Sequence, residues 1–491
     1  MATDLSQGIL ALPLELHLRI IRELHAPDVL SLGQTCSSIR IAVNQRHVWE
    51  AALRATCRLN QLFEPSYHPL EDMDLPELQR AALEPWRRSA SFALESRSNT
   101  ASGDEDADAS RNLLQKKIHL ELNNEPSFED VYIVPGGRYV LGMTQSLRTI
   151  CLWDMGQTGK VPWDTMHDRL QPISIMRTTH GGIIWDMSAP KAVDITSFRF
   201  ATIEITPMDI CVYEVGPLPN VCSIREIANL RVNIQDLPGD FWLQGNNLVC
   251  VFSKGIIVWD FVESRYIAIQ SRGSDVAKIT TNGNLIIAWV GPDIGVWTIP
   301  PLKPLESPSS LDLSALFSEE LADSIDFNTI RPDERSVWPD HIFLPSAWYS
   351  FPPDALEYTV LHWREEKVTV ERAVLDVIVT AGAERYRKSS QSWSTMDSIH
   401  VLHKDMPYRT LCGNFAAMVN RPRGTGPPTV GVVHSVGDDA RSADMNCTKH
   451  VFKVLQFGAD FQNSSLSYCP STGRAAVITG SHLITIMSLA Y

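Results

Sequence analysis

From Val131 onward the chain repeats one arrangement: a short apolar run, a turn with glycine, a second run, a polar turn, and a third run closing on an aromatic. The clearest copy is VYIVPGGRYVLGMTQSLRTICLWD. It predicts strands over Val131–Val134, Tyr139–Met143 and Thr149–Asp154 around a Pro-Gly-Gly turn. Phe198–Glu214, Leu248–Asp260 and Leu285–Thr298 repeat it less completely. Trp153, Tyr213, Trp259 and Trp297 stand near the ends of the third runs, 60, 46 and 38 residues apart. A unit of four short strands needs ~40–45 residues, so each of the last two intervals holds one unit. The first holds one unit with an insertion over Gly156–Met176, or a degenerate extra one. A further Trp185-Asp186 closes a short run there.

Strand patterns continue over Tyr358–His362, Lys367–Arg372, Ile399–His403, Phe415–Val419, Thr429–Val433, Arg474–Thr479 and Leu483–Leu489. The residues after Thr298 have room for three more units, about seven in all. Pro300–Asp340 and Asn420–Asn446, rich in Pro, Gly and acids, are expected as long surface excursions. Repeated small sheets predict an all-β propeller of about seven degenerate blades, with paired sandwiches as the alternative. The Trp-Asp endings resemble WD repeats. Because an unpaired strand edge is a liability, the alternating segment 117–122 is expected to pair beside 483–489 and close the ring.

The first 60 residues have a different period. Leu14, Leu18 and Ile21 interleave with Leu16, Ile20 and Leu24, so one helix carries a wide apolar stripe. Pro13 suits its first turn, and Ala26-Pro27 is expected to break it. Asp28 would cap a second helix through Val29, Leu30 and Leu32, and a third runs from Cys36 through Ile39 to Val43. Three helices in so little chain cannot bury this much apolar surface alone. Some of it should meet a partner.

Leu12-Pro13-x-Glu15-Leu16, Ile20-Ile21, Leu24, Asp28-Val29-Leu30, Leu32, Cys36 and a closing Val48-Trp49 resemble an F-box. The resemblance implies docking on the Skp-type adaptor of a cullin–RING ubiquitin ligase. Carried over position by position, it places Leu12, Pro13, Ile20, Leu24, Leu30, Leu32 and Cys36 at the adaptor or on the helices that support the contact. After Cys36 the family usually has a basic residue and then an aromatic; Ser38 and Ile39 stand here instead.

Between the two regions, Asp74-Leu75-Pro76-Glu77 reads as a reciprocal helix cap, and Pro85 is expected to end or kink the helix that follows. Ser96–Ser110 holds no large apolar residue and a cluster of acids, including Asp104–Asp106. The expected organisation is an F-box over 1–60, a helical connector over 61–95, an acidic flexible linker over 96–110 and a propeller over 111–491.

The chain carries a net charge of −14, and its first 60 residues hold six Arg against five acids, so the remaining 431 carry −15. An acidic body lacks the basic stripe a nucleic-acid surface needs. Nine scattered cysteines without a C-x-x-C pair read as reduced thiols in the cytoplasm or nucleus. Neither a secretory leader nor an apolar run of ~18 residues is present, so no membrane is expected. No H-E-x-x-H, G-x-S-x-G or phosphate-cradling glycine motif occurs. His400 and His403 would fall on opposite faces of one strand. No cofactor, metal or catalytic residue is implied.

The expected function is therefore non-catalytic: a substrate-recognition subunit that holds the adaptor through the F-box and an unidentified protein target through the propeller. The alternatives are an F-box scaffold acting outside the ligase, or a propeller enzyme.

Overall fold

The computed structural model describes residues 12–99, 114–121, 128–144, 148–160, 169–233, 237–270, 276–282, 285–290, 293–305, 310–313, 328–330, 341–343, 348, 355–364, 367–380, 383–396, 415–420, 429–436, 449–456, 466–469, 471–479 and 483–489. Residues 100–113, with most of the expected acidic linker and the Asp104–Asp106 run, lie outside them, as does the His400–His403 segment.

The described chain opens with five helices: α1 (Leu14–Arg22), α2 (Ala26–Gly33), α3 (Ser37–Val43), α4 (Arg46–Leu59) and α5 (Leu75–Asn99). Two corrections apply here. The break after α1 falls at Glu23–His25, and Pro27 sits inside the first turn of α2, where its missing N–H costs nothing. Asp28 therefore lies within that turn, and His25 occupies the cap position. Pro85 does not end α5, which runs on through 96–99, four residues expected as linker. Leu78, Ala81, Ala82 and Leu83 of α5 are buried against α1–α4, and that packing outweighs the one hydrogen bond Pro85 removes. The cap of α5 is reciprocal: the Asp74 N–H donates to Glu77 Oε2 at 2.8 Å, and the Glu77 N–H to Asp74 Oδ1 at 2.7 Å.

Seven sheets follow among the described residues, antiparallel in their main strands. The first is Phe128–Ile133, Tyr139–Thr144, Thr149–Asp154 and Ser174–Arg177, a simple meander. The second is Ile183–Met187, Phe198–Ile205, Asp209–Val215 and Ile224–Asn233. The third is Asp240–Gln244, Asn247–Phe252, Gly255–Asp260 and Arg265–Gln270. The fourth is Val276–Asn282, Leu285–Val290 and Asp293–Thr298 with Asn328–Ile330. The fifth is His341–Phe343, Ala355–Arg364, Lys367–Thr380 and Ala383–Met396, and the sixth Phe415–Asn420, Thr429–Val436 and Lys449–Gln456. The first interval between aromatics thus holds one blade with an insertion, and Trp185-Asp186 belongs to the opening strand of the second sheet rather than to the end of a blade.

The core runs between these sheets. Tyr139 and Leu141 of the first pack with Phe198 and Phe200 of the second. Ile203 and Val212 of the second pack with Phe241 and Leu248 of the third. Val249 and Val258 of the third meet Ile286 and Trp297 of the fourth. Trp153, Tyr213, Trp259 and Trp297 are all buried. Sheets that each cover the face of the next are the packing of a propeller.

The seventh sheet combines both ends of the β region. Leu466–Cys469, Arg474–Ile478 and Leu483–Leu489 are followed by Leu114–Glu121, which runs antiparallel to the last strand with Ile118 opposite Ile486 and Leu120 opposite Ile484. These four side chains are buried.

Parts of Pro300–Asp340 are not surface excursion. Lys303–Pro304, Ser310–Asp312 and Asn328–Ile330 add edge strands to the third, second and fourth sheets, covering backbone that would otherwise stay unpaired.

Candidate functional site

The apolar stripe of α1 divides between two environments. Ile21 is buried, and Leu18 and Leu24 pack half-buried against the helical core. Leu16 and Ile20, one turn apart, remain 43% and 37% exposed, and Leu12 and Leu14 are exposed beside them. Pro13 has extended backbone (φ −56°, ψ 152°), and its carbonyl accepts the Leu16 and His17 N–H groups, so it starts the helix from outside.

On α2, Val29 and Gly33 face the core while Leu30 is exposed. A Cβ at Gly33 would lie 3.2 Å from a Val43 methyl, which is how closely α2 approaches α3. Ile41 on α3 is 72% exposed. Of the seven residues expected at the adaptor, Leu12, Pro13, Ile20 and Leu30 are open to solvent, whereas Leu24, Leu32 and Cys36 pack half-buried on the core. Leu14, Leu16 and Ile41 are exposed apolar residues absent from that set. Spacing alone cannot separate them, because both rows of the α1 stripe are apolar. Scattered exposed leucines are ordinary on a folded surface; several on one short helix are not.

The helical module is anchored on the propeller through the segment between α4 and α5. Phe63, in the segment between α4 and α5, is fully buried in the core of the first two sheets, with its ring edge-on to Tyr139, Phe198 and Trp348. Its N–H donates to the Pro135 carbonyl at 2.9 Å. The Pro-Gly-Gly turn of the first blade is thus the seat of the connector. Gly136 has φ +101°, and a Cβ there would fall 2.6 Å from Ser66 Oγ, so only glycine admits this approach.

Arg138, next in that turn, pairs with Asp154 through two hydrogen bonds of 2.8 and 2.7 Å and donates to the Pro65 and His68 carbonyls. Burial works against its charge, but Asp154 more than compensates, and the Arg138 pKa is raised. Gln157 Nε2 donates to the Tyr67 and Pro69 carbonyls, each at 2.7 Å. Arg474 of the seventh sheet donates to the Gly137 carbonyl at 2.7 Å, and burial lowers its pKa to about 10.

No helix among the described residues is long and apolar enough to cross a membrane. The seven described cysteines are free thiols.

Residues 9–58 match a family model described as F-box-like. No curated protein matches the chain. Among solved structures, the chain is similar to the C-terminal WD40 domain of Sif2, with 8% identity over 76% of this chain and 99% of that one at a TM-score of 0.39. It is also similar to a functionally unknown protein from Desulfotomaculum acetoxidans, with 12% identity over 72% of this chain and 94% of that one at a TM-score of 0.40.

Proposed function

We propose that this F-box-like chain is the substrate-recognition subunit of an SCF-type cullin–RING ubiquitin ligase. The observation that carries the reading is the division of α1–α3 into a buried and an exposed apolar face. Leu12, Pro13, Ile20 and Leu30 form the contact with the Skp-type adaptor, extended by Leu14, Leu16 and Ile41, while Leu24, Leu32 and Cys36 support it from below. The propeller presents a protein target. No residue of the chain performs chemistry in this reading: the ligase gains rate because the target's lysines are held near the ubiquitin-loaded enzyme at high effective concentration. The weld between connector and first blade supports this, since a rigid spacer keeps that concentration from being diluted.

The test is co-purification of adaptor and cullin with the full chain, against a variant carrying Leu12→Ala, Ile20→Ala and Leu30→Ala. These side chains are exposed, so the variant should fold with unchanged melting temperature and lose adaptor binding by more than about tenfold. Undiminished adaptor binding overturns the proposal. Adaptor without cullin would instead identify a scaffold outside the ligase.

A further inference from the structure

A second cluster lies on the second sheet, away from the helical module. His180, in the segment entering that sheet, has Nε2 2.9 Å from both carboxylate oxygens of Glu226. Their ligand atoms and the sulfur of Cys211 all lie within 4.8 Å of one another. Cys211 is fully buried, His180 half-buried and Glu226 exposed, so the cluster opens to solvent at one end only.

The register explains how these residues meet. In the pairing of Asp209–Val215 with Ile224–Asn233, Asp209 faces Arg231 and Cys211 faces Asn229. Strict alternation would bring residue 227 to that face next. A bulge between Val212 and Tyr213 shifts the count, so Tyr213 pairs with Glu226 and the carboxylate is turned toward His180. Bulges that re-aim one side chain concentrate at functional positions.

Glu204 completes the cluster from the neighbouring strand. It is fully buried, with Oε1 3.7 Å from Cys211 Sγ and Oε2 without a hydrogen-bond partner. Asp209 on the same face is already held by Arg231, at 3.0 Å twice. Asn229 Nδ2 donates to Cys211 Sγ at 3.1 Å, which orients the sulfur.

The geometry points to a divalent metal site of the zinc class, with His180 Nε2, Cys211 Sγ and a Glu226 oxygen as ligands and Glu204 as the outer partner of the sulfur. One imidazole, one thiolate and one carboxylate are the borderline-soft donor set that zinc takes, and the two anionic ligands neutralise its charge. The exposed Glu226 leaves the cluster open to solvent on its side. Binding requires the Cys211 thiolate: the S–H bond breaks, the sulfur pair goes to the metal, and the proton passes to Glu204 Oε1. The thiol already donates toward that oxygen, and the metal supplies the charge that a buried thiol needs to ionise. The ion would tie the segment leaving the first blade to two strands of the second.

The experiment uses the full chain, stripped with chelator and titrated with zinc(II), then with cobalt(II) as a spectroscopic probe. Expected are stoichiometric zinc retained through dialysis, a raised melting temperature, and a sulfur-to-cobalt charge-transfer band. His180→Gln and Glu226→Gln, both at solvent-accessible positions, should each weaken binding by more than about tenfold. Cys211→Ser should abolish the charge-transfer band, and Cys222→Ser should change nothing. No zinc retained by the wild-type chain overturns the proposal. So does equal retention by the His180 and Glu226 variants, which holds even if Cys211→Ser fails to fold.

Discussion

Phe63 and Trp348 meet edge-on with ring centroids 5.4 Å apart, joining the segment between two N-terminal helices to a residue far along the β region. The contact makes the helical module part of the propeller core. Phe63 lies in the aromatic cluster of the first two sheets, while its chain neighbour Leu62 lies in the helical core. Two hydrophobic cores therefore share one dipeptide.

Phe63→Ala should destabilise the whole chain by about 3–5 kcal/mol, the range for emptying a buried aromatic site. Urea denaturation followed separately by helical and tryptophan signals checks this. The wild type should unfold with coincident transitions, and the variant should separate them, with the helical module losing its coupling to the β region.

Cleavage within 100–110, where no large apolar residue anchors the chain, is expected as the earliest event in limited proteolysis. The two fragments should nevertheless co-elute in size-exclusion chromatography, because Phe63, Arg138 and Gln157 bind connector to propeller independently of that segment. Separation of the fragments without denaturant would show that the weld is weaker than its geometry.

Glu214 sets an acid limit. Burial works to raise its pKa, but hydrogen bonds from Arg225 and Arg199 overcome this and hold it below the ordinary carboxylate value. The unfolded chain thus binds the proton more readily than the folded one. The stabilisation is fully present above the unfolded pKa and is lost as pH falls through the depressed folded one. Denaturation midpoints collected across the acid range should fall more steeply for the wild type than for Glu214→Gln.

At the ring seam, Ile118→Ala and Ile486→Ala should each cost about 2–5 kcal/mol. The two side chains face each other across the pairing, so the double variant should cost less than the sum of the singles. Melting curves of the three variants measure the coupling, and strict additivity would mean the seam contributes no shared contact.

How much of this is readable from sequence depends on the period of each signal. Trp153, Trp259 and Trp297 recur at near-blade intervals, and the strands they end are present with boundaries within a few residues. Asp74 and Glu77 announce their cap because both partners lie within one turn. Phe63 carries no period: an isolated aromatic between helices looks the same whether it packs at home or in a distant sheet. The outward face of α1 is equally silent, because Leu16 and Ile20 differ from Leu18 and Ile21 only in what surrounds them. Glu226 is hidden most deeply. Its neighbours alternate as an ordinary strand, and only the pairing irregularity opposite Tyr213 turns it to the face of Cys211.

The strand shared by the two ends of the β region also fixes an order of events during synthesis. His119 and its partner Thr485 are 366 residues apart, so the edge formed by Leu114–Glu121 waits through the synthesis of all the sheets between for the strand that covers it. The helical module needs no such wait, since its core is drawn from residues 21–83. A folded helical head therefore precedes the closed ring, and a ribosome that stops early releases it attached to an uncovered strand edge. Leu483–Leu489 is thus the strand that turns an open nascent ring into a closed one.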